Sequence, residues 1–552
     1  MPAKSVDGFV ASLFGSQDSS DCCVSFCLSQ DEVDRPSKRQ KLEDAPGGTD
    51  AVGVAQAGAH EAGADDDLVG ERLPAHSWVL RPGSGFFRAQ LERWTGDRAA
   101  GSKPVLRVLL GTEADLPHAR SAVRFIYTGE LSVSSAADLL GVRRLACYLG
   151  VEEAVEACDA ALCPLAAGPF GPLAGVVEVC SCRHLLPERG SNAASAELID
   201  ALRGSCQAQL AEYSGVADTQ FTAPGGAKVQ LGELLVWVFP DAPSVLSDPA
   251  AKARALQLTA ASLEALLTCD AFGTDNEASV LLLLAEWLAL HPEAFSQYRH
   301  RLCHCIRLNQ LSSAYLQGVL PLLTWFPLMV DEHRLLCQYW AASDSREREC
   351  ILKLVEKTRG KWPPSWTSDA PRPAVRHDVA RSYEWHISEG ELGAALGAVE
   401  RGQTMYKSAT FGHGSSRPVA NGFEFYPELE LKPGSDVAGV FVVCGLPSAL
   451  QCSGAAVGAV RPGALRLVVR QGACGSGDGG VVEGKAAFTH PFSGQQHWFP
   501  GRTLGKTAAL PLLTALAGSA PRPLLSRWSP YLHEGRISGT LEWLGPQGAA
   551  QG

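Results

Sequence analysis

Apolar and polar positions change period along the chain, and each change marks a part of it. Near the N-terminus Phe9, Val10, Leu13 and Phe14 recur at helical spacing, and Cys22, Val24, Phe26 and Leu28 then alternate as on a half-buried strand. A short apolar run follows at Val105, Leu106, Val108, Leu109 and Leu110, after which Ala119, Val123 and Ile126 line one side of a helix. Val151, Val155, Cys158 and Leu162 repeat at the helical interval once more. In the middle of the chain Val280, Leu284, Trp287 and Leu288 predict a helix, opened by Thr274 and Glu277 in the arrangement of a capping box and preceded by an amphipathic turn at Leu263, Leu266 and Leu267. Past residue 403 the period falls to two, in Phe423 to Tyr426, Val437 to Cys444, Leu465 to Val469 and Ser538 to Leu544. Gly and Pro punctuate each run, as in an antiparallel β-sandwich.

The first landmarks fall in a telling order. Leu73-Pro74-Ala75-His76-Ser77-Trp78-Val79-Leu80 precedes Gly85-Phe86-Phe87, and Phe125-Ile126-Tyr127-Thr128-Gly129 closes a later helix. This order resembles the BTB/POZ domain, in which a buried His opens a helix, an aromatic pair follows and a Tyr-Thr-Gly ends the next long helix. The segments Leu258 to Asp270, Val280 to Pro292 and Ile306-Arg307-Leu308 with Leu311 to Leu316 resemble the BACK helical domain that follows BTB in many ubiquitin-ligase adaptors. The whole order, with a tail that resembles a MATH or TRAF sandwich, is similar to the plant and algal light-response BTB adaptors. The expected fold is multidomain α+β. A BTB/POZ α/β domain spans 1–163 with an insertion at 31–70, and a linker covers 164–174. An all-α BACK domain spans 175–330, a helical spacer 331–402, a MATH-like antiparallel β-sandwich 403–546, and a tail 547–552. A kelch propeller is not expected, since no repeat of about fifty residues with Gly doublets occurs in the last third.

At 552 residues the chain exceeds what one hydrophobic core organises, and its 46% hydrophobic content is ample for burial. A formal net charge of -11 argues against a phosphate-binding surface, so nucleic acid is not an expected direct partner. The 17 cysteines are scattered with no secretory leader before them, which fits reduced thiols in cytosol or nucleus. No apolar stretch is long enough to cross a bilayer, Val280 to Leu290 being interrupted by Glu286 and bounded by Pro292, and no membrane partner is expected.

Candidate chemistry is sparse. Lys38, Arg39 and Lys41 form the only dense basic cluster, set among Asp, Gly and Ala, with the spacing of a short nuclear import signal. Nucleus, with cytoplasm second, is therefore the expected location. Gly501-Arg502-Thr503-Leu504-Gly505-Lys506-Thr507 imitates a phosphate loop but has three residues, not four, before its Gly-Lys pair. Cys180-Ser181-Cys182 with His184, and Cys303-His304-Cys305, lack the paired spacing of structural zinc. No nucleophile elbow or His-Glu-x-x-His helix occurs. A non-catalytic protein without cofactor or metal is expected, and His76 is read as a packed residue whose ring nitrogen satisfies nearby backbone.

The resemblance implies a substrate-recruiting adaptor of a cullin-3 ubiquitin ligase, dimerising through BTB and holding a target protein through the sandwich. By position, Leu116, Pro117, His118, Tyr148 and Leu149 would meet the cullin, Leu149 standing where cullin-3-binding relatives often carry an aromatic. Phe9, Val10, Leu13 and Phe14 form an apolar face too short to bury itself, which a homodimer interface would shelter. Phe423, Phe425, Tyr426, Trp498 and Trp528 are candidates to line a target groove, with core packing as the competing role. The alternative function is a nuclear BTB scaffold or transcriptional corepressor without a ligase.

Overall fold

The computed structural model describes residues 6–28, 68–93, 103–166, 173–188, 193–375, 381–412, 417–451, 457–472, 486–513 and 524–544. The chain divides into two compact units, residues 1–205 and 206–552.

The first unit is built on a three-stranded sheet. After helix α1 (Val6–Ser12), strand β1 (Cys22–Leu28) lies in the middle, antiparallel to β2 (Leu73–Ala75). Helices α2 (Ser77–Gly83) and α3 (Gly85–Arg93) follow, and β3 (Val105–Leu110) returns parallel to β1. Val24, Ser25, Phe26 and Cys27 are all buried, so β1 is more deeply enclosed than its alternation suggests. Next come α4 (Leu116–Thr128), α5 (Ala136–Leu149), α6 (Glu152–Ala166) and α7 (Ala174–Ser181). Gly129 ends α4 in the left-handed region (φ 65°) and donates its N–H to Phe125 O, a stop that needs glycine. Helix α7 was expected at the start of the BACK domain, but it packs on α5 and α6. Glu178 on α7 accepts the Ala136 N–H at 2.7 Å, satisfying an orphan donor at the start of α5, so residues 174–181 complete the first unit.

Helix α8 (Ala193–Ala211) crosses the boundary between the units. In the second unit a short hairpin, β4 (Gln220–Thr222) with β5 (Lys228–Gln230), leads into a helical stack. The stack comprises α9 (Leu231–Val238), α10 (Ala242–Ser247), α11 (Pro249–Ala255), α12 (Ala260–Thr268), α13 (Glu277–Leu290), α14 (Pro292–Cys303), α15 (Ser313–Gly318), α16 (Val330–Ala341) and α17 (Ser345–Arg359). Helix α13 is buried on nearly every side, from Ala278 through Ala285 and again at Trp287 and Leu288, and forms the axis of the stack. The capping box read from Thr274 and Glu277 does not form. Asn276 is the N-cap, accepting the Ala278 N–H at 3.0 Å, and Glu277 turns inward instead.

The C-terminal part is an antiparallel β-rich region with helices, and it begins earlier than expected. Residues 381–402, expected as helical spacer, hold strand β6 (Arg381–Ser388) and helix α18 (Glu389–Glu400), because Trp385 and Ile387 bury on one face of a strand paired along its length to the last strand of the chain. There follow β7 (Met405–Ser408), β8 (Thr410–Phe411), β9 (Val419–Ala420), β10 (Phe423–Leu431), β11 (Val437–Gly445), β12 (Leu465–Arg470), β13 (Ala486–Phe492), β14 (Thr503–Pro511) and β15 (Arg536–Trp543). One sheet runs β14-β11-β10-β7 with β9 on β10, the other β13-β12-β15-β6-β8. Their inner faces meet where the Phe425 ring approaches that of Trp543 edge-on at 5.7 Å. Gly539 is required here, since a Cβ would lie 2.0 Å from Val468 O and 2.6 Å from the Trp385 ring.

Candidate interaction surfaces

His76 caps the junction of the sheet with α2. It is fully buried, its Nε2 lies 2.9 Å from Asp18 O, and its backbone N–H donates to the Tyr127 hydroxyl at 2.9 Å. Burial pushes the Tyr127 phenol up to about 12, so it stays protonated. Phe14 meets the Tyr127 ring edge-on at 5.7 Å. His76 is thus a packed residue with backbone partners, as the sequence suggests.

The four apolar residues proposed for dimerisation separate. Leu13 is buried in its own unit and Phe14 leans on Tyr127, while Val10 is half-buried and Phe9 is 55% exposed. The face is smaller than expected because α1 spends its inner side on α4. Trp78 on α2, 53% exposed, is a second large apolar side chain open to solvent that the sequence reading passed over.

Around α4 and α5, Pro117 is exposed and Leu116 half-buried at the first turn of α4. His118 is held: its Nε2 lies 3.1 Å from Asp138 Oδ1, and its ring packs so closely on Gly141 that a Cβ there would come within 2.6 Å. Hydrogen bonds from Ser135 and then His118 keep the Asp138 carboxyl below its ordinary range. Tyr148 is 44% exposed and lies against Phe86 at 5.0 Å between ring centres. Leu149, the last residue of α5, is fully buried and cannot present its side chain to a partner. Pro117 and Tyr148 are therefore the residues of that set most open to another protein. The basic cluster Lys38, Arg39 and Lys41 lies outside the described residues.

Arg307 and Arg372 organise the helical stack. Arg372 Nε donates to Glu277 Oε2 at 2.9 Å, and its Nη2 donates to Leu267 O at 2.7 Å, at the C-terminal end of α12, and to Cys305 O at 3.3 Å. The Arg307 N–H donates to Glu277 Oε1 at 2.9 Å, and the Arg307 guanidinium pairs with Asp270 and donates to Ala370 O. Trp287 is buried, donates its indole N–H to Leu258 O at 2.8 Å and stacks on His291. The nearby Cys305 thiol is pushed by burial to about 12, and that of Cys303 is also raised, so both are neutral thiols. Among the described residues no group of three or more His, Cys, Asp or Glu is placed to hold a metal ion. No helix among them is long and apolar enough to cross a membrane.

In the β region the candidate groove aromatics are mostly core. Phe423, Phe425, Trp498 and Trp528 are buried: Phe425 lies against Trp498 and Trp543, Phe423 meets the Tyr315 ring of α15, and Trp528 sits in the short turn at Leu525–Trp528 beside Tyr531; Tyr426 is half-buried beneath the Arg417 guanidinium, 3.7 Å from its ring centre. Gly501 to Thr507 leads into exposed strand β14, where a Cβ at Gly505 would lie 2.1 Å from Val440 O, so the segment is a strand and no phosphate cradle.

Comparison with known families agrees with this anatomy. The family model for the BTB/POZ domain matches residues 64–165. That for BACK, described as BTB And C-terminal Kelch, matches residues 250–321. The chain carries a BTB/POZ domain and a BACK domain. Both matches end before β6, and the two antiparallel sheets that follow stand where the BACK description puts kelch. No curated protein matches the chain. BTB domains in BTB-BACK proteins generally mediate dimerisation and cullin-3 binding, and the architecture is typical of non-catalytic adaptors.

Proposed function

We propose that this protein is a substrate-recruiting adaptor of a cullin-3 ubiquitin ligase: a homodimer through its BTB domain that holds a cullin through BTB and BACK and carries a target protein on its β region. The observation that supports this best is the succession of a BTB domain, a BACK domain and a third region of different architecture. Such a chain contributes proximity and orientation, while ubiquitin transfer sits on partner subunits. On the BTB surface Pro117 and Tyr148 are the contact residues of this reading, with Leu116 and His118 supporting them from the first turn of α4. The β region works as a MATH- or TRAF-like capture module, its edges and loops suited to an extended peptide. The target is a protein; the protein acts in the nucleus, and a light response is the pathway its overall layout resembles.

The test is capture of purified cullin-3 by the full-length protein. Micromolar or tighter binding that Tyr148→Glu weakens at least tenfold, without loss of helicity, is the expected result. A wild-type protein that dimerises but leaves cullin-3 in solution would favour the scaffold or corepressor reading.

A further inference from the structure

The hairpin that joins β9 to β10 meets the BACK helices in a way a tethered module would not. Phe423 pairs with Ala420, leaving Asn421 and Gly422 as a two-residue loop, with φ of 52° and 79°, the tight turn that favours Asn-Gly. This turn enters the N-terminal end of α13. The Asn421 N–H donates to Asp275 Oδ2 at 2.5 Å and the Gly422 N–H to Ser279 Oγ at 2.9 Å. Gly422 O accepts from the Tyr315 hydroxyl on α15, and the Val419 N–H donates to Ser247 Oγ on α10 at 3.0 Å. The fit leaves no spare room, since a Cβ at Gly422 would lie 2.7 Å from both the Ala278 Cβ and the Tyr315 hydroxyl.

The groups on the helical side are informative by their burial. Ser279 and Tyr315 are fully enclosed and Ser247 nearly so, and each of these hydroxyls bonds to backbone of the hairpin. Ser279 Oγ also donates to Asp275 Oδ1 at 2.7 Å, so at that position the hairpin adds a second bond to a group already held in the helices. Each bond made by a buried hydroxyl is stabilising, so the helical stack is better satisfied with the hairpin in place. Apolar contact continues the seam: Phe423, fully buried, meets the Tyr315 ring at 4.9 Å, and the short turn around Leu450, also fully buried, packs on α13. Hydrogen bonds set the register of this seam and the rings fill it.

We infer that the Asn421–Gly422 turn is a plug that locks the β region to the BACK helices as one cooperative unit. A partner held by the β region is then carried at a fixed orientation to the BACK domain, instead of swinging on a linker. This holds whether or not cullin-3 is the partner, because it rests on the seam alone. It also means that cutting the chain at residue 403 divides a folded unit, leaving β6 and α18 on the wrong side of the cut and removing the hairpin's bonds to Ser247, Ser279 and Tyr315.

Native-state hydrogen exchange on the full-length protein tests the lock. In the wild type the slowest amides of α13 and of β10 should merge into one opening isotherm as denaturant rises, the behaviour of a single cooperative unit. Tyr315→Phe, which removes one buried hydrogen bond without changing shape, should speed exchange in β10 as well as α13 by on the order of tenfold. Gly422→Ala, made on the other side, should speed α13 as well as β10. Separate isotherms in the wild type, or a Tyr315→Phe effect confined to the helices, would overturn the inference. If Gly422→Ala fails to fold, the wild type and Tyr315→Phe decide alone.

Discussion

Removing Arg372 should damage the BACK helices although the residue lies well beyond residue 321, where the BACK match ends. Its side chain is fully buried and so is that of Glu277, with which it makes two hydrogen bonds, at 2.9 and 3.3 Å. The same guanidinium donates to Leu267 O, Cys269 O and Cys305 O, closing the end of α12 onto the turn after α14. Arg372→Ala leaves the Glu277 carboxylate out of water with the Arg307 N–H as its remaining neighbour among these contacts, and takes the guanidinium donor from Leu267 O and Cys305 O, while Cys269 O keeps the Phe272 N–H. Breaking a buried pair from one side costs about 3–5 kcal/mol, a large part of the roughly 5–15 kcal/mol that holds a folded domain. Because a chain of several domains need not unfold in one step, the measurement is amide exchange at α12 and α13 in the full-length protein. Protection there should fall by at least about a hundredfold, the equivalent of about 3 kcal/mol. Adding Glu277→Gln, which keeps an acceptor for the Arg307 N–H but removes the stranded charge, should restore part of the loss. A fall of less than about tenfold for Arg372→Ala, or a double variant that loses the sum of both single losses, would refute the account of a buried charge pair.

The other expectations are simpler. Trp287→Ala should lose about 3–5 kcal/mol of local stability through its cavity, with the bond to Leu258 O going too, and wild-type exchange in α13 would show the side chain to be dispensable. The Glu391 carboxyl is depressed to about 2, first by its hydrogen bond with Lys407 and then by the Ser388 N–H, so its stabilising share is present above the ordinary value of 4.5 and lost as pH falls from there through about 2; Glu391→Gln should lower the melting temperature at neutral pH and flatten the acid limb of the profile over that window, the two proteins converging towards pH 2. Phe9→Asp should shift the full-length protein from dimer toward monomer in light scattering, since Phe9 is the most exposed of the four apolar residues around α1, and an unchanged dimer would move the interface elsewhere. Replacing Lys38, Arg39 and Lys41 together by Ala should move the tagged protein from nucleus to cytoplasm, and undiminished nuclear accumulation would remove the import role from that cluster.

What the sequence made legible, and what it did not, follows from the range over which each signal acts. The Tyr-Thr-Gly end of α4 and His76 at the start of α2 were readable because each is fixed by groups within a turn or by one recurring partner, Tyr127. Trp287 was readable because an apolar helix with a single aromatic at the core spacing leaves it few other places. Strand β6 carried a period-two signal in Tyr383, Trp385 and Ile387, but it ran straight into α18 and the helical neighbours before it biased the reading. Strand β14 carried almost none, since most of its residues are exposed and its place is set by pairing with β11. Glu277 shows the harder limit. Its spacing from Thr274 fits a capping box, a local rule satisfied within one turn, yet the carboxylate is taken by Arg372, 95 positions away, and by the Arg307 N–H. A local rule yields wherever a tertiary partner can satisfy a charge more completely, and a buried arginine presenting several donors does so better than a single exposed N–H. The same reasoning applies to Ser279, a polar residue inside the apolar helix α13: its bond to Asp275 is local, but its second partner is the Gly422 N–H of a hairpin 143 positions on, and no window along the sequence contains both.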